Sequence, residues 1–342
     1  MWHPDAYLTD LLRGIRPEFA FCAPTVEEWA LWRDKLKKQF IAALGPVADK
    51  AAPLQPREIE RTDCGDYVRA RVVIQTCAGL EMPMYVLRPA GVNGRRPAVI
   101  ACHGHGYGSK EIAGLMPDGT TEMTEPTYQN CFAVELVRRG FIVCVPELLG
   151  FGDRKMEEDA RNGEYSSCHK ISTFLLQIGR TLAGYRVYET IRALDYMSGL
   201  PDVDADKIGC MGISGGGLVA GFAAASDERF RATVVSGYVN TFRDSILSIR
   251  HCVDNYVPGL SLHAEMPDII SLTAPRPLLV ESGTEDAIFP IGATLEACRQ
   301  IASVYRLLDR AEHFETDIFT GDHRIHGSKA YAWLHAKLFD QK

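Results

Sequence analysis

From residue 96 onward the chain alternates short apolar runs with amphipathic stretches. Pro97-Ala-Val-Ile-Ala-Cys102, the run around Cys144, Ile208-Gly-Cys-Met-Gly-Ile213, Thr233-Val-Val-Ser236 and Pro277-Leu-Leu-Val280 are too short for helices and read as strands buried on both faces. Between them, residues 180 to 199 place Val187, Ile191 and Leu194 on one helical face, and residues 218 to 225 are small and apolar throughout. Strand, helix, strand, helix predicts a mostly parallel sheet with right-handed crossovers. Upstream, residues 5 to 45 carry Trp29, Trp32, Leu36 and Phe40 at spacings of three and four, a helical region packed on the sheet with Lys35, Lys37 and Lys38 on its solvated face. A Pro/Ala linker from residue 46 to 56 leads to a strand pair, 67 to 76 and 81 to 88, joined through Cys77-Ala-Gly-Leu80.

With 342 residues and 46% hydrophobic content the chain is long enough for two average domains, yet α/β sheets often reach this size as one. The pattern assigns 1–56 to a helical extension and linker and 57–342 to one catalytic domain with insertions near 149–178 and 238–270. Loops at strand ends shape pockets. The first insertion holds Gly150-Phe-Gly-Asp-Arg-Lys155, a charged run at Glu157, Glu158 and Asp159 that reads as a solvated turn, and Cys168-His-Lys170. The second reads as a lid, with Tyr238, His251, Asn255 and Tyr256 as pocket candidates; Tyr107 is a further candidate beside them.

A formal charge of −7 argues against nucleic-acid and anionic-membrane partners. The first residues lack a basic start followed by an apolar core, and no apolar run approaches the roughly 20 residues of a membrane span. The ten cysteines form no Cys-x-x-Cys pair, and Cys102, Cys144 and Cys210 fall inside buried strands, which points to a reducing cytoplasmic setting. Cys168, near a loop, reads as a plain thiol.

The candidate chemistry begins at Gly212-Ile-Ser-Gly-Gly216, directly after an apolar strand. A serine on a sharp strand-to-helix elbow needs glycine two residues before and after it, because neighbouring chain comes close. Such a serine requires an acid and then a base later in the chain, each after its own strand. Asp286, in the turn after Pro277-Leu-Leu-Val-Glu-Ser-Gly283, is the acid, and neighbouring Glu285 reads as solvated. His323, after the Gly321-Asp322 turn, is the base, and His326 reads as a residue leading into the last helix. The strand ending at Cys102 empties into His103-Gly-His-Gly106, where a second oxyanion donor belongs. The two donors are the backbone N–H groups of Gly215 and His105, with Gly106 as the alternative to His105. A metal held by His103, His105, His323 and His326 lacks Cys and carboxylate partners at metal spacing, and no metal is expected.

These residues resemble the α/β-hydrolase fold family, within it the dienelactone-hydrolase and acetyl-xylan-esterase-like branch. The resemblance runs from about Trp29 to the C-terminal helix and includes His103-Gly-His-Gly106, the stretch from Pro146 to Arg154, that from Asp202 to Ile208, Asn255-Tyr-Val-Pro-Gly259 and Ala274-Pro-Arg-Pro-Leu278. It implies that Ser214, Asp286 and His323 are catalytic. One departure is Gly215-Gly-Gly217 after the serine, where many relatives carry a bulkier residue. The expected activity is a serine esterase acting on small acyl esters, acetylated sugars among them, through an acyl-enzyme, with no cofactor and a small-molecule ester as partner. Lactone, thioester or amide hydrolysis uses the same triad, a non-catalytic scaffold is the reading from another class, and a homo-oligomer stays open.

Overall fold

The computed structural model describes residues 2–47 and 51–340, so three residues of the expected linker lie outside it. Nine strands form one sheet: β1 Arg57–Asp63, β2 Tyr67–Cys77, β3 Leu80–Pro89, β4 Arg96–Cys102, β5 Ile142–Pro146, β6 Val203–Ile213, β7 Phe230–Ser236, β8 Leu278–Gly283 and β9 Phe314–Phe319. Their order is β1-β2-β3-β5-β4-β6-β7-β8-β9. The first three pair antiparallel, β3 meets β5 antiparallel, and every pairing from β5 through β9 is parallel. This is the mostly parallel, helix-flanked sheet that the sequence predicts.

Strand alternation divides the core into two layers. Ile100, Cys102, Cys144, Ile208 and Cys210 face one side, where the helices Val26–Leu44, Leu182–Ser198 and Gly215–Ser226 pack. Val99, Ala101, Val143, Val145, Met211 and Ile213 face the other, under Phe132–Arg138 and Ala330–Leu338. Successive side chains of a strand point to opposite faces, so a strand covered on both sides is apolar without interruption. The helix Gly215–Ser226 is buried nearly all round, and its small residues let the sheet and two helices approach it closely. Phe40 meets Phe222 edge-on at 5.0 Å.

Three elements differ from expectation. The region 5 to 45 is not one helix but two, Asp5–Gly14 and Val26–Leu44. Pro17 and Pro24 lie between them, and Thr25 restarts the helix by accepting the Glu28 N–H at 3.2 Å. The strand β1 was not expected, because its residues are charged and almost wholly exposed. It is an edge strand held by backbone pairing to β2, and its charges discourage pairing with a further chain. The charged run near residue 157 is likewise a short helix, Glu157–Arg161, with Asp159 buried against Lys170. No helix among the described residues is long and apolar enough to cross a membrane.

Candidate active site

Ser214 follows β6 directly and adopts φ 56° and ψ −125° before the helix Gly215–Ser226 begins. A non-glycine residue in that region is strained, and strain of this kind persists only where the surroundings over-determine it. Here they do. A Cβ on Gly212 would lie 2.1 Å from the Gly216 carbonyl oxygen, and one on Gly216 would lie 2.1 Å from that of Cys102. The Ser214 N–H donates to Ser236 O at 3.0 Å, tying the elbow to β7.

Asp286 and His323 come together from the turns after β8 and β9. The Oδ1 of Asp286 accepts the backbone N–H groups of Ile288 and Phe289 at 2.8 and 3.0 Å, and Oδ2 lies 2.7 Å from His323 Nδ1. A carboxylate accepts only, so the proton sits on Nδ1 and the lone pair of Nε2 is left free for a proton. That Nε2 is buried and has no partner among the described residues. Tyr128 and Phe289 stack on the imidazole with ring centroids 5.6 and 5.7 Å away, which fixes its plane. Glu285 is exposed. His326 turns away to Asp317, 3.1 Å from its Oδ2, and stacks on Phe319.

The loop after β4 is held by a set of buried acceptors. Gly104 N–H donates to Gln129 Oε1 at 2.6 Å, and Ser109 donates from both N and Oγ to Glu147 at 2.8 Å. Tyr128 Oη donates to His105 O at 2.6 Å. The His105 N–H has no protein acceptor among the described residues, and the N–H of Gly215 is the first of its helix, where no intrahelical acceptor exists. His103 is fully buried; its Nε2 accepts the Leu148 N–H at 3.1 Å, and its Nδ1 faces Gly104 O at 2.8 Å. It is a brace for the loop.

Ser214 and His323 line one cavity of about 400 Å³ with His105, Tyr128, Gly215 and Phe289; the lid segment adds Ile249, Arg250, His251, Cys252 and Asn255. Of the pocket residues expected from sequence, His251 and Asn255 are there. Tyr107, Tyr238 and Tyr256 are not. Tyr107 Oη donates to Leu115 O, and Tyr256 lines a neighbouring cavity and donates to Ile246 O. Tyr238 is buried behind Phe289, with ring centroids 5.3 Å apart. An aromatic residue in an insertion signals burial somewhere, and the sequence carries no sign of which wall it joins.

Sequence reasoning also missed a buried polar cluster beside the cavity. His105 Nε2 lies 3.2 Å from Asp254 Oδ2, a charge contact rather than an aligned hydrogen bond. Asp254 pairs with Arg186, whose Nη2 lies 3.2 Å from Cys168 Sγ. Arg186 stands on the helix Leu182–Ser198, which reads from sequence as scaffold alone. His105, Cys168, Cys252 and Asp254 bring one ligand-type atom each within 4.8 Å of one another. The cluster already contains its cation, because the Arg186 guanidinium donates to both Asp254 and Cys168, so these residues do not fit a metal. Burial of His251 holds its imidazole below the usual range.

The sequence profile of the Abhydrolase family matches residues 6–324. The protein YtaP of Bacillus subtilis (strain 168), designated a hydrolase, is 27% identical over 301 residues, covering 84% of this chain and 95% of its own. Among solved structures, a Bacteroides fragilis NCTC 9343 protein designated an acetyl xylan esterase superposes with a TM-score of 0.78 at 18% identity, over 94% of this chain and 83% of that one. A glucuronoyl esterase from Solibacter usitatus superposes with a TM-score of 0.65 at 16% identity, over 94% and 97% of the two chains. At such identities the structural likeness speaks for the fold, an α/β-hydrolase sheet. With the profile spanning nearly the whole chain and a serine elbow at the end of β6, this protein belongs to the Abhydrolase family of α/β-hydrolases.

Proposed function

We propose that the protein is a serine carboxylic-ester hydrolase for small acyl esters, acetylated sugars among them, with Ser214 as nucleophile, His323 as general base and acid, and Asp286 as the residue that orients it. One observation carries this reading: a strained serine shares a cavity with an imidazole whose Nδ1 is bound 2.7 Å from a buried carboxylate and whose Nε2 has no partner among the described residues. The Ser214 Oγ bonds to the acyl carbon while its proton passes to His323 Nε2, and the carbonyl electron pair moves onto oxygen. The N–H groups of Gly215 and His105 receive that oxyanion. Collapse breaks the bond to the alcohol, which leaves with the proton from His323. Water then repeats the sequence, releasing the acid and restoring Ser214. The designations of the structural neighbours, an acetyl xylan esterase and a glucuronoyl esterase, support carbohydrate esters as the substrate class.

The reading is tested with p-nitrophenyl acetate, butyrate and octanoate. Acetate and butyrate are expected to turn over, with octanoate lower in kcat/KM by about tenfold or more, because each ill-fitting methylene costs discrimination in a walled pocket. A fluorophosphonate is expected to label Ser214 stoichiometrically. Absence of both hydrolysis and labelling would overturn the esterase reading, whereas a preference for octanoate would overturn only the small-acyl assignment.

A further inference from the structure

We infer that the side chain of His105 is a second catalytic imidazole of this site, held as a cation by Asp254 and placed to stabilise the oxyanion that forms beside Gly215; the inference rests on the serine-esterase reading above. The backbone N–H of His105 is one of the two oxyanion donors, so its ring is attached to the oxyanion hole itself. A Cβ on Gly215 would lie 2.9 Å from both Nδ1 and Cε1 of that ring, so the ring edge covers the residue that supplies the other donor. His105 lines the cavity with Ser214, and it is Nδ1 and Cε1 that face Gly215. The opposite nitrogen, Nε2, faces Asp254 at 3.2 Å. Two aspartate–imidazole pairs therefore share the cavity with the serine, His323 with Asp286 and His105 with Asp254.

The surroundings decide which protonation state the His105 ring holds. Burial pulls the His105 pKa down, but the Asp254 carboxylate outweighs it and Cys168 adds to the effect, so the imidazole is raised to about 9. Asp254 is fully buried; burial works against its charge, and His105 and Arg186 together overcome this and hold it far below the usual carboxylate range. The groups around His105 are Asp254, Cys252 and His251 from the second insertion, Cys168 from the helix Cys168–Gln177, Arg186 behind Asp254, and His323 in the same cavity. Phe151 packs edge-on to the ring at 5.1 Å. The raised value means that the charge is present at neutral pH and is lost as pH rises through about 9. A preorganised cation beside the reacting carbonyl meets charge that exists only in the transition state, which is where such a group accelerates a reaction.

The test combines a pH profile with direct titration of the ring. In the wild type, kcat/KM for p-nitrophenyl acetate is expected to fall above about pH 9, and the 13C-labelled His105 Cε1 resonance, assigned by its absence in His105→Gln, is expected to titrate in step. His105→Gln should lower kcat by about 100-fold with little change in KM and should lack this basic limb. Asp254→Asn should move the limb and the resonance toward the ordinary imidazole range. Should Asp254→Asn fail to fold because Arg186 is left unpaired, the wild-type titration alone still decides, since a His105 ring that titrates near its ordinary value overturns the inference. So does a His105→Gln enzyme with the wild-type basic limb or with kcat within about threefold of wild type. Loss of fluorophosphonate labelling at Ser214 in the wild type would instead strike the esterase reading, so the two failures are distinguishable.

Discussion

Ser214→Ala is expected to lower kcat/KM for p-nitrophenyl acetate by about 10⁴-fold or more, measured against wild type from parallel preparations. The change deletes one oxygen at an elbow whose backbone conformation is set by its neighbours, not by the hydroxyl. The fold should therefore survive and the loss should be chemical. His323→Ala is expected to cost a similar factor, and the double variant little more than either, because nucleophile and base act as a unit. Asp286→Asn should lose on the order of 10⁴-fold in kcat by favouring the wrong tautomer of His323, since an amide at Oδ2 no longer receives the Nδ1 proton as a carboxylate does. Equal rates for Ser214→Ala and wild type would mean that another residue or another protein supplies the activity, and the scaffold reading would take its place.

Arg154→Met is expected to destabilise the fold by roughly 3–5 kcal/mol, read from chemical denaturation. Arg154 and Glu189 form a two-pronged pair at 2.6 Å for each contact, with side chains only 4% and 1% exposed. Glu189 also accepts from Thr76 Oγ1 at 2.8 Å, and Arg154 Nη1 donates to Glu147 O at 3.1 Å. Removing the cation leaves a carboxylate buried and unpaired, and its desolvation is what the variant exposes. Replacing both members, as in Arg154→Met with Glu189→Leu, should recover most of the loss, because a buried pair exchanged for apolar side chains is often nearly neutral. The pair also has a functional neighbour: Glu147 accepts from Ser109 in the loop that presents His105. A single variant as stable as wild type, or a double variant no better than the single, would show that the pair is not the brace between the turn after β5 and the helix Leu182–Ser198.

Glu147 and Arg154 bear on how much could be read in advance. Both lie in the motif from Pro146 to Arg154 that the family resemblance singles out, yet the sequence offers no reason for either residue. Their partners, Ser109 and Glu189, are 38 and 35 positions away, and nothing local in the chain records a pairing at that separation. The stacking of Tyr128 and Phe289 on His323 is hidden in the same way, as is the run from Arg186 through Asp254 to His105. The aromatic residues of the lid mislead for a related reason. Tyr238 and Tyr256 have the composition of pocket walls, and packing turns one into the core and the other toward a separate cavity.

By itself, the sequence determined the parallel sheet, the serine elbow with its two obligatory glycines, and the placing of Asp286 and His323 in turns that end strands. Each of these is dictated locally, by strand periodicity, by the close approach of backbone at a sharp turn, or by a turn that ends a strand, and local constraints leave a signature in adjacent residues. Only the tertiary structure decided that a charged segment forms the edge strand β1, which residues of the second insertion face Ser214, and that Asp254 and Arg186 stand behind His105. Those outcomes depend on contacts between segments far apart in the chain, where side-chain packing and burial of charge choose among arrangements that the residues taken locally leave equivalent.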